Sequence, residues 1–220
     1  MHLRLLPGEP GSGIRFRSLA HVDQLALNWQ RLIETHVIEK QHKGVLTGSP
    51  LTDVTIELLC GRDHLKHTEG GDFRQATYRA IRNALMYAKN ILLEPICGFE
   101  VTIPEQQYGS MLGVLATLNA THEDQSLAYG VMQLRGEAPF AAFAKWQPDF
   151  PVVTHGHGTL RVWLSRYAPC QNAAEVIAAA RYNPLADDTP DSVFCSHGAG
   201  FTVAWNKVAD FAHLSHEDFL

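Results

Sequence analysis

A chain of 220 residues with 45% hydrophobic and 19% charged residues is long enough to bury two small cores and too apolar for disorder to be its default state. No apolar run approaches the roughly 18 residues that span a bilayer, and MHLRLLPGEPGSG breaks at Pro7, Gly8 and Pro10 too early for a signal peptide; a cytosolic, membrane-free protein of two domains is expected. The net charge of −5 argues against nucleic acid for the whole chain, but residues 1–90 carry 12 Lys+Arg against 9 Asp+Glu, residues 91–170 carry 4 against 7, and residues 171–220 carry 2 against 7, so any polyanion is met by the N-terminal part.

After the turn-rich LPGEPGSG, IRFRSLA alternates Ile14 and Phe16 with Arg15 and Arg17, the period of a strand with one wet face. Residues 21–40 set Val22, Leu25, Trp29, Leu32, Ile33 and His36 at helical spacing, which predicts an amphipathic helix. Val54, Ile56 and Leu58 then alternate as a second strand. The loop GRDHLKHTEGGDFR, residues 61–74, follows it directly. Asp72 with Gln75 three residues on fits a capping box, and Phe73, Ala76, Thr77, Ala80, Ile81, Ala84, Leu85 and Ala88 form one narrow stripe of a long helix.

From Leu93 the pattern restarts. LEPICGFEVTI predicts a strand with Phe99, Val101 and Ile103 on one face, and Pro104-Glu105 suits the first turn of a helix that turns Tyr108, Met111, Leu112, Leu115 and Leu118 to the core. A hairpin over 121–137, a short helix from Pro139 to Trp146, the Gly-spaced THGHG and the strand TLRVWLSRY complete β-α-β-β-α-β, the split βαβ of ferredoxin-like domains. AAEVIAAARY and AWNKVADFAHL predict helices on either side of PLADDTPDS, a helical C-terminal extension. The division expected is therefore 1–90, 91–168 and 169–220.

Chemistry-bearing residues are scattered. His64-x-x-His67, His155-x-His157 and Cys195-x-His197 supply metal-ligand types, but zinc needs three or four convergent ligands and none of these sets is complete; no metal site is expected. Cys60, Cys97, Cys170 and Cys195 stand too far apart for a disulfide framework and read as reduced thiols. Cys195 and His197 share one face of a strand without being a catalytic pair. No GxxxxGK[ST] phosphate loop occurs, so the chain should neither bind nor hydrolyse GTP by itself. Arg15, Arg17, Arg62, Lys66, Arg74, Arg79 and Arg82 form the basic inventory of the first domain, either solvated or set against RNA phosphates. Two rival readings stand beside RNA contact: a metal-dependent enzyme using the histidine pairs, and a protein-binding module acting through the acidic tail.

The run from LTDVTIELLCGRDHLKHTEGGDFR through ILLEPICGFEVTIPEQQYGSMLGVL resembles the junction of the fourth and fifth domains of elongation factor G and its relatives, and GEAPF with HGHGTLRVWLSRY resembles the closing half of the fifth. The resemblance covers residues 10–168. It implies an α+β fold of two small α/β sandwich domains: a β-α-β unit of the domain IV type, truncated at its N-terminus and carrying an uncommon left-handed crossover, then a ferredoxin-like βαββαβ domain. It also implies the C-terminal part of a translational GTPase whose nucleotide-binding domain, with its GTP and magnesium, lies upstream of Met1. This part would then be non-catalytic and cofactor-free. The partners implied are the ribosome, small-subunit rRNA and the chain's own upstream GTPase domain, with no DNA and no membrane.

In that family the tip loops of the fourth domain reach the decoding centre, and by position the tip here is Arg62–Gly71. The implied RNA-binding residues are Arg62, His64, Leu65, Lys66 and His67, with Arg15 and Arg17 on the preceding strand. The spacing through GSGIRFRS, and from Gly61 to Asp72-Phe73-Arg74, resembles most the ribosomal protection proteins of the tetracycline-resistance type, which implies antibiotic resistance. Those proteins carry a proline-containing, tyrosine-flanked stretch in the tip, where this chain has His64, Leu65, Lys66 and His67.

Overall fold

Val54, Ile56 and Leu58 are nearly or fully buried, and the strand they build, β3 (Val54–Cys60), is the centre of the first sheet. The computed structural model describes residues 1–64, 68–127, 129–187, 191–196 and 199–212. β1 (His2–Pro7) pairs antiparallel with β3 on one side and β2 (Ile14–Ser18) pairs parallel with it on the other. Parallel neighbours need a crossover, and α1 (Leu27–Glu39) supplies it. With α2 (Gly70–Tyr87) it closes one sheet face over a core that includes Leu25, Ile33, Val37, Phe73 and Ile81.

Three local expectations shift. β1 is an additional strand, since Leu3 and Leu5 alternate with Arg4 immediately before the Pro and Gly cluster that marks the turn. The first helix begins at Leu27, not at residue 21: Val22 is 54% exposed, and Leu25 reaches the core from a turn in which its N–H donates to His21 O. The capping box of α2 sits one step earlier than Asp72-Gln75. Glu69 is the N-cap, and Asp72 at N3 accepts the Glu69 N–H at 2.9 Å, because Gly70 and Gly71 join the first turn.

The second unit, Ile91–Gln171, has its own core. β4 (Leu93–Pro104), β5 (Thr121–Leu127), β6 (Val131–Pro139) and β7 (Thr159–Pro169) form an antiparallel sheet in the order β5-β6-β4-β7. Its helices are α3 (Tyr108–Thr117), reached through a 3-10 turn at Glu105–Gln107, α4 (Phe140–Trp146) and α5 (Phe150–Val153). Phe99 stacks on Phe143 with centroids 5.2 Å apart, and Met111, Leu115 and Leu134 are fully buried around them. This is the ferredoxin-like βαββαβ arrangement, so the mixed α/β class stands for both units.

The first unit comprises Met1–Asn90 together with the chain from Asn172 onward. That last segment is mixed, not helical throughout. α6 (Ala173–Ala180) ends where Arg181 turns left-handed at φ 48°, β8 (Ser192–Ser196) pairs with β9 (Ala199–Val203), and α7 (Val208–Phe211) follows. Phe194, Phe201 and Phe211 pack their rings on one another at 5.7–6.2 Å. The segment is fixed to α2 by Arg79 Nε donating to Asp191 O at 2.8 Å and Asn83 Nδ2 donating to Trp205 O at 2.9 Å.

Candidate RNA interface

The strand β3 delivers the tip loop and α2 receives it. Gly61 lies against Leu25, and a Cβ there would meet Leu25 Cδ2 at 2.8 Å, so a larger residue where the chain leaves the sheet would have to displace that side chain. Asp63 accepts the Trp29 indole N–H at 3.1 Å, and Trp29 packs on Phe73 with centroids 5.0 Å apart. The Thr68 hydroxyl accepts the His64 N–H at 2.7 Å while the Thr68 N–H donates to His64 O at 3.1 Å. These bonds close the loop's base, and the Glu69–Asp72 box holds its far end to the helix. Arg62 and His64 are exposed. Leu65, Lys66 and His67 lie outside the described residues.

Arg15 and Arg17 fall elsewhere, on the sheet face that α1 and α2 leave uncovered. Alternation along β2 sends Ile14 and Phe16 inward and both arginines out. Arg17 and Arg4 flank Glu57 from the two neighbouring strands: Arg4 Nη2 lies 2.5 Å and Arg17 Nη2 3.4 Å from its carboxylate. Glu57 is 3% exposed while the arginines are 50% and 64% exposed, so a buried anion anchors two cations that still face solvent. Arg15 lies opposite Thr55, two residue pairs further from the tip. The face thus carries three arginines against one carboxylate. Sequence reasoning missed Arg4 and Glu57 because it missed β1; the alternation of His2 and Arg4 with Leu3 and Leu5 was the available signal.

Two members of the basic inventory leave it. Arg82 is 6% exposed and donates to Tyr182 and Pro184, and the half-buried Arg79 donates from Nε to Asp191 O, so both meet the chain past Asn172. Arg74 Nε is 3.9 Å from Glu39 and remains largely exposed. Glu39 also meets His36 Nδ1 at 2.6 Å and accepts the Tyr78 hydroxyl at 2.7 Å; the His36 bond above all, then that of Tyr78, holds its carboxyl below the usual range. Among the described residues no three His, Cys, Asp or Glu side chains gather as a metal site would require, and no helix is long and apolar enough to cross a membrane.

Residues 1–89 match the family model described as Elongation factor G, domain IV, and residues 91–176 match that of the Elongation factor G C-terminus. The chain belongs to the elongation factor G family. Elongation factor G 2 of Saccharophagus degradans is 29% identical over 180 residues, which are 81% of this chain and 26% of that protein. Elongation factor G 2 of Vibrio parahaemolyticus is 29% identical over 177 residues, 80% of this chain and 25% of that one. The chain therefore spans about a quarter of the length of these elongation factor G relatives. A crystal structure from Thermus thermophilus, at 24% identity, shares the fold with a TM-score of 0.75 over 81% of this chain and 27% of its own.

Proposed function

We propose that this chain is the ribosome-binding C-terminal part of a translational GTPase of the elongation factor G type, non-catalytic by itself. In this reading the tip loop meets small-subunit rRNA through Arg62, His64, Leu65, Lys66 and His67, Arg15 and Arg17 add phosphate contacts from the open sheet face, and the ferredoxin-like unit orients the tip relative to an upstream GTPase domain. GTP and magnesium then belong to that upstream domain, and the site of action is the cytoplasm. The observation that carries the reading is the match of both units, in order, to the elongation factor G domain models. The exposed Arg62 on a loop pinned at both ends supports the choice of contact. Tetracycline protection is left out of the proposal, since His64 to His67 stand where the protection proteins carry proline.

The test is ribosome binding of the Arg62→Ala, Lys66→Ala double variant, measured from about 50 to 200 mM salt. Loss of two phosphate contacts should weaken binding and flatten the log–log salt slope by about 2. A slope equal to that of the unaltered chain would remove the tip from the interface.

A further inference from the structure

The sheet of the first unit turns one face to α1 and α2 and leaves the other bare. Strand alternation puts Arg4 and Leu6 of β1, Thr55 and Glu57 of β3, and Arg15 and Arg17 of β2 on the bare side. Arg4 Nε and Nη2 both donate to Glu57 Oε2, at 2.9 and 2.5 Å, and Arg17 Nη2 lies 3.4 Å from Glu57 Oε1. Arg4 Nη1 and the Nε and Nη1 of Arg17 take no part in these contacts. Arg15 has no hydrogen bond or ion pair among the described residues. Asp53, the carboxylate that precedes β3, accepts the Gly13 N–H at 3.1 Å.

Three guanidiniums therefore stand against one carboxylate, and the carboxylate is the buried member of the set. The cations project while the anion lies beneath them, so the face presents its excess positive charge to solvent, the complement of a polyanion. The arginines are also spread out. Arg4 and Arg17 stand on strands either side of β3, about 10 Å apart, and Arg15 is about 7 Å from Arg17 along β2. Phe16 is the one Phe, Tyr or Trp in the three strands, and it packs into the core. Single-stranded RNA is held largely by stacking its bases on aromatic rings, which this face does not offer. A duplex keeps its bases stacked inside and is met through its backbone, by shape and phosphate contact, and it carries about twice the charge per unit length of a single strand. A bare sheet with separated, outward guanidiniums suits the second ligand.

We propose that the bare sheet face binds the backbone of double-helical RNA through Arg4, Arg15 and Arg17, and that Glu57 is the internal anion that limits the strength of that contact. That the polyanion is RNA rests on the ribosomal reading above; that it is a duplex rests on the face itself. The experiment is fluorescence anisotropy of the whole chain from about 50 to 200 mM salt, with a blunt RNA duplex of about 16 base pairs in one arm and a non-pairing single strand of equal length in the other. The duplex should bind the more tightly. Arg15→Ala should lower the log–log salt slope for the duplex by about 1. Glu57→Gln keeps the shape of the side chain but removes its charge, so it should tighten duplex binding by about fivefold at 50 mM salt and steepen the slope. Loss of stability alone would weaken binding, so a tighter complex is not what a purely structural Glu57 would give. Arg15→Ala replaces an exposed side chain and reads the face even where Glu57→Gln lowers the melting temperature. Absence of duplex binding, a single strand bound as tightly as the duplex, or an Arg15→Ala slope equal to that of the unaltered chain overturns the proposal. So does a folded Glu57→Gln variant that binds the duplex no better. In the Arg62→Ala, Lys66→Ala background the Arg15→Ala slope change should persist, so failure of the tip assignment and failure of the sheet face are read separately.

Discussion

Glu57 shows how one residue sets the charge of a surface. Its carboxylate is buried between Arg4 and Arg17, and both arginines keep half or more of their side chains in water. Glu57→Ala removes both acceptors but leaves the cations solvated, so the cost should be about 1–2 kcal/mol and not the larger figure of a fully buried pair. Urea denaturation checks this as a lower midpoint at unchanged slope. His42 makes a second prediction. Burial lowers its pKa from the ordinary 6.5, against the opposing effect of the Val37 carbonyl 3.0 Å from Nε2. The unfolded chain therefore takes up the proton first as pH falls below 6.5, and the stability that neutral His42 contributes is present above that pH and drains away beneath it. Stability measured from pH 7 to pH 5 should fall, and His42→Gln should flatten that part of the curve.

The capping box is the element-scale counterpart. Glu69 and Asp72 fix both the start of α2 and the end of the tip loop. Asp72→Ala should cost about 1 kcal/mol of stability, the usual value of a lost cap. It should also raise amide exchange in residues 68–72 above that in β3, which hydrogen-exchange measurement would show; equal protection in the variant would mean that the Trp29–Asp63 and His64–Thr68 bonds hold the loop without the box. The segment from Asn172 onward has a similar double role. Its own Val203 and Val208 are buried, and it occupies donors of Arg79, Arg82 and Asn83. Deleting it would strip α2 of partners, so point variants at Asp187 test its function more cleanly than truncation.

The open sheet face of the first unit carries Arg4, Arg15 and Arg17 against Glu57, while the chain as a whole is acidic. If that face meets rRNA, Arg15 and Arg17 should not contribute equally. Arg17 already shares Glu57, whereas Arg15 lies opposite Thr55. Arg15→Ala should therefore lower the salt slope of ribosome binding by about 1, and Arg17→Ala by less, because the pairing has already neutralised part of its charge. Slopes for both variants equal to that of the unaltered chain would place the sheet face outside the interface.

Much of the fold was legible in the sequence because its signals are local. Val54, Ile56 and Leu58 alternate over a few residues, Phe73, Thr77, Ile81 and Leu85 recur at helical spacing, and the restart at Leu93 separates two hydrophobic cores; each pattern follows from which face of an element must be buried. The tip was legible in the same way, as a polar loop between a strand and a helix. What the sequence could not supply depends on residues far apart along the chain. Arg4 and Arg17 read as two unrelated charges until β1 and β2 flank β3 and bring them to one carboxylate. Arg82 read as a surface cation until Tyr182, Pro184 and Asp187, about a hundred positions later, closed over it. Which arginines remain free to meet a polyanion was therefore a tertiary decision, because hydrogen-bond and charge partners are chosen by proximity in space, which hydrophobic periodicity does not encode.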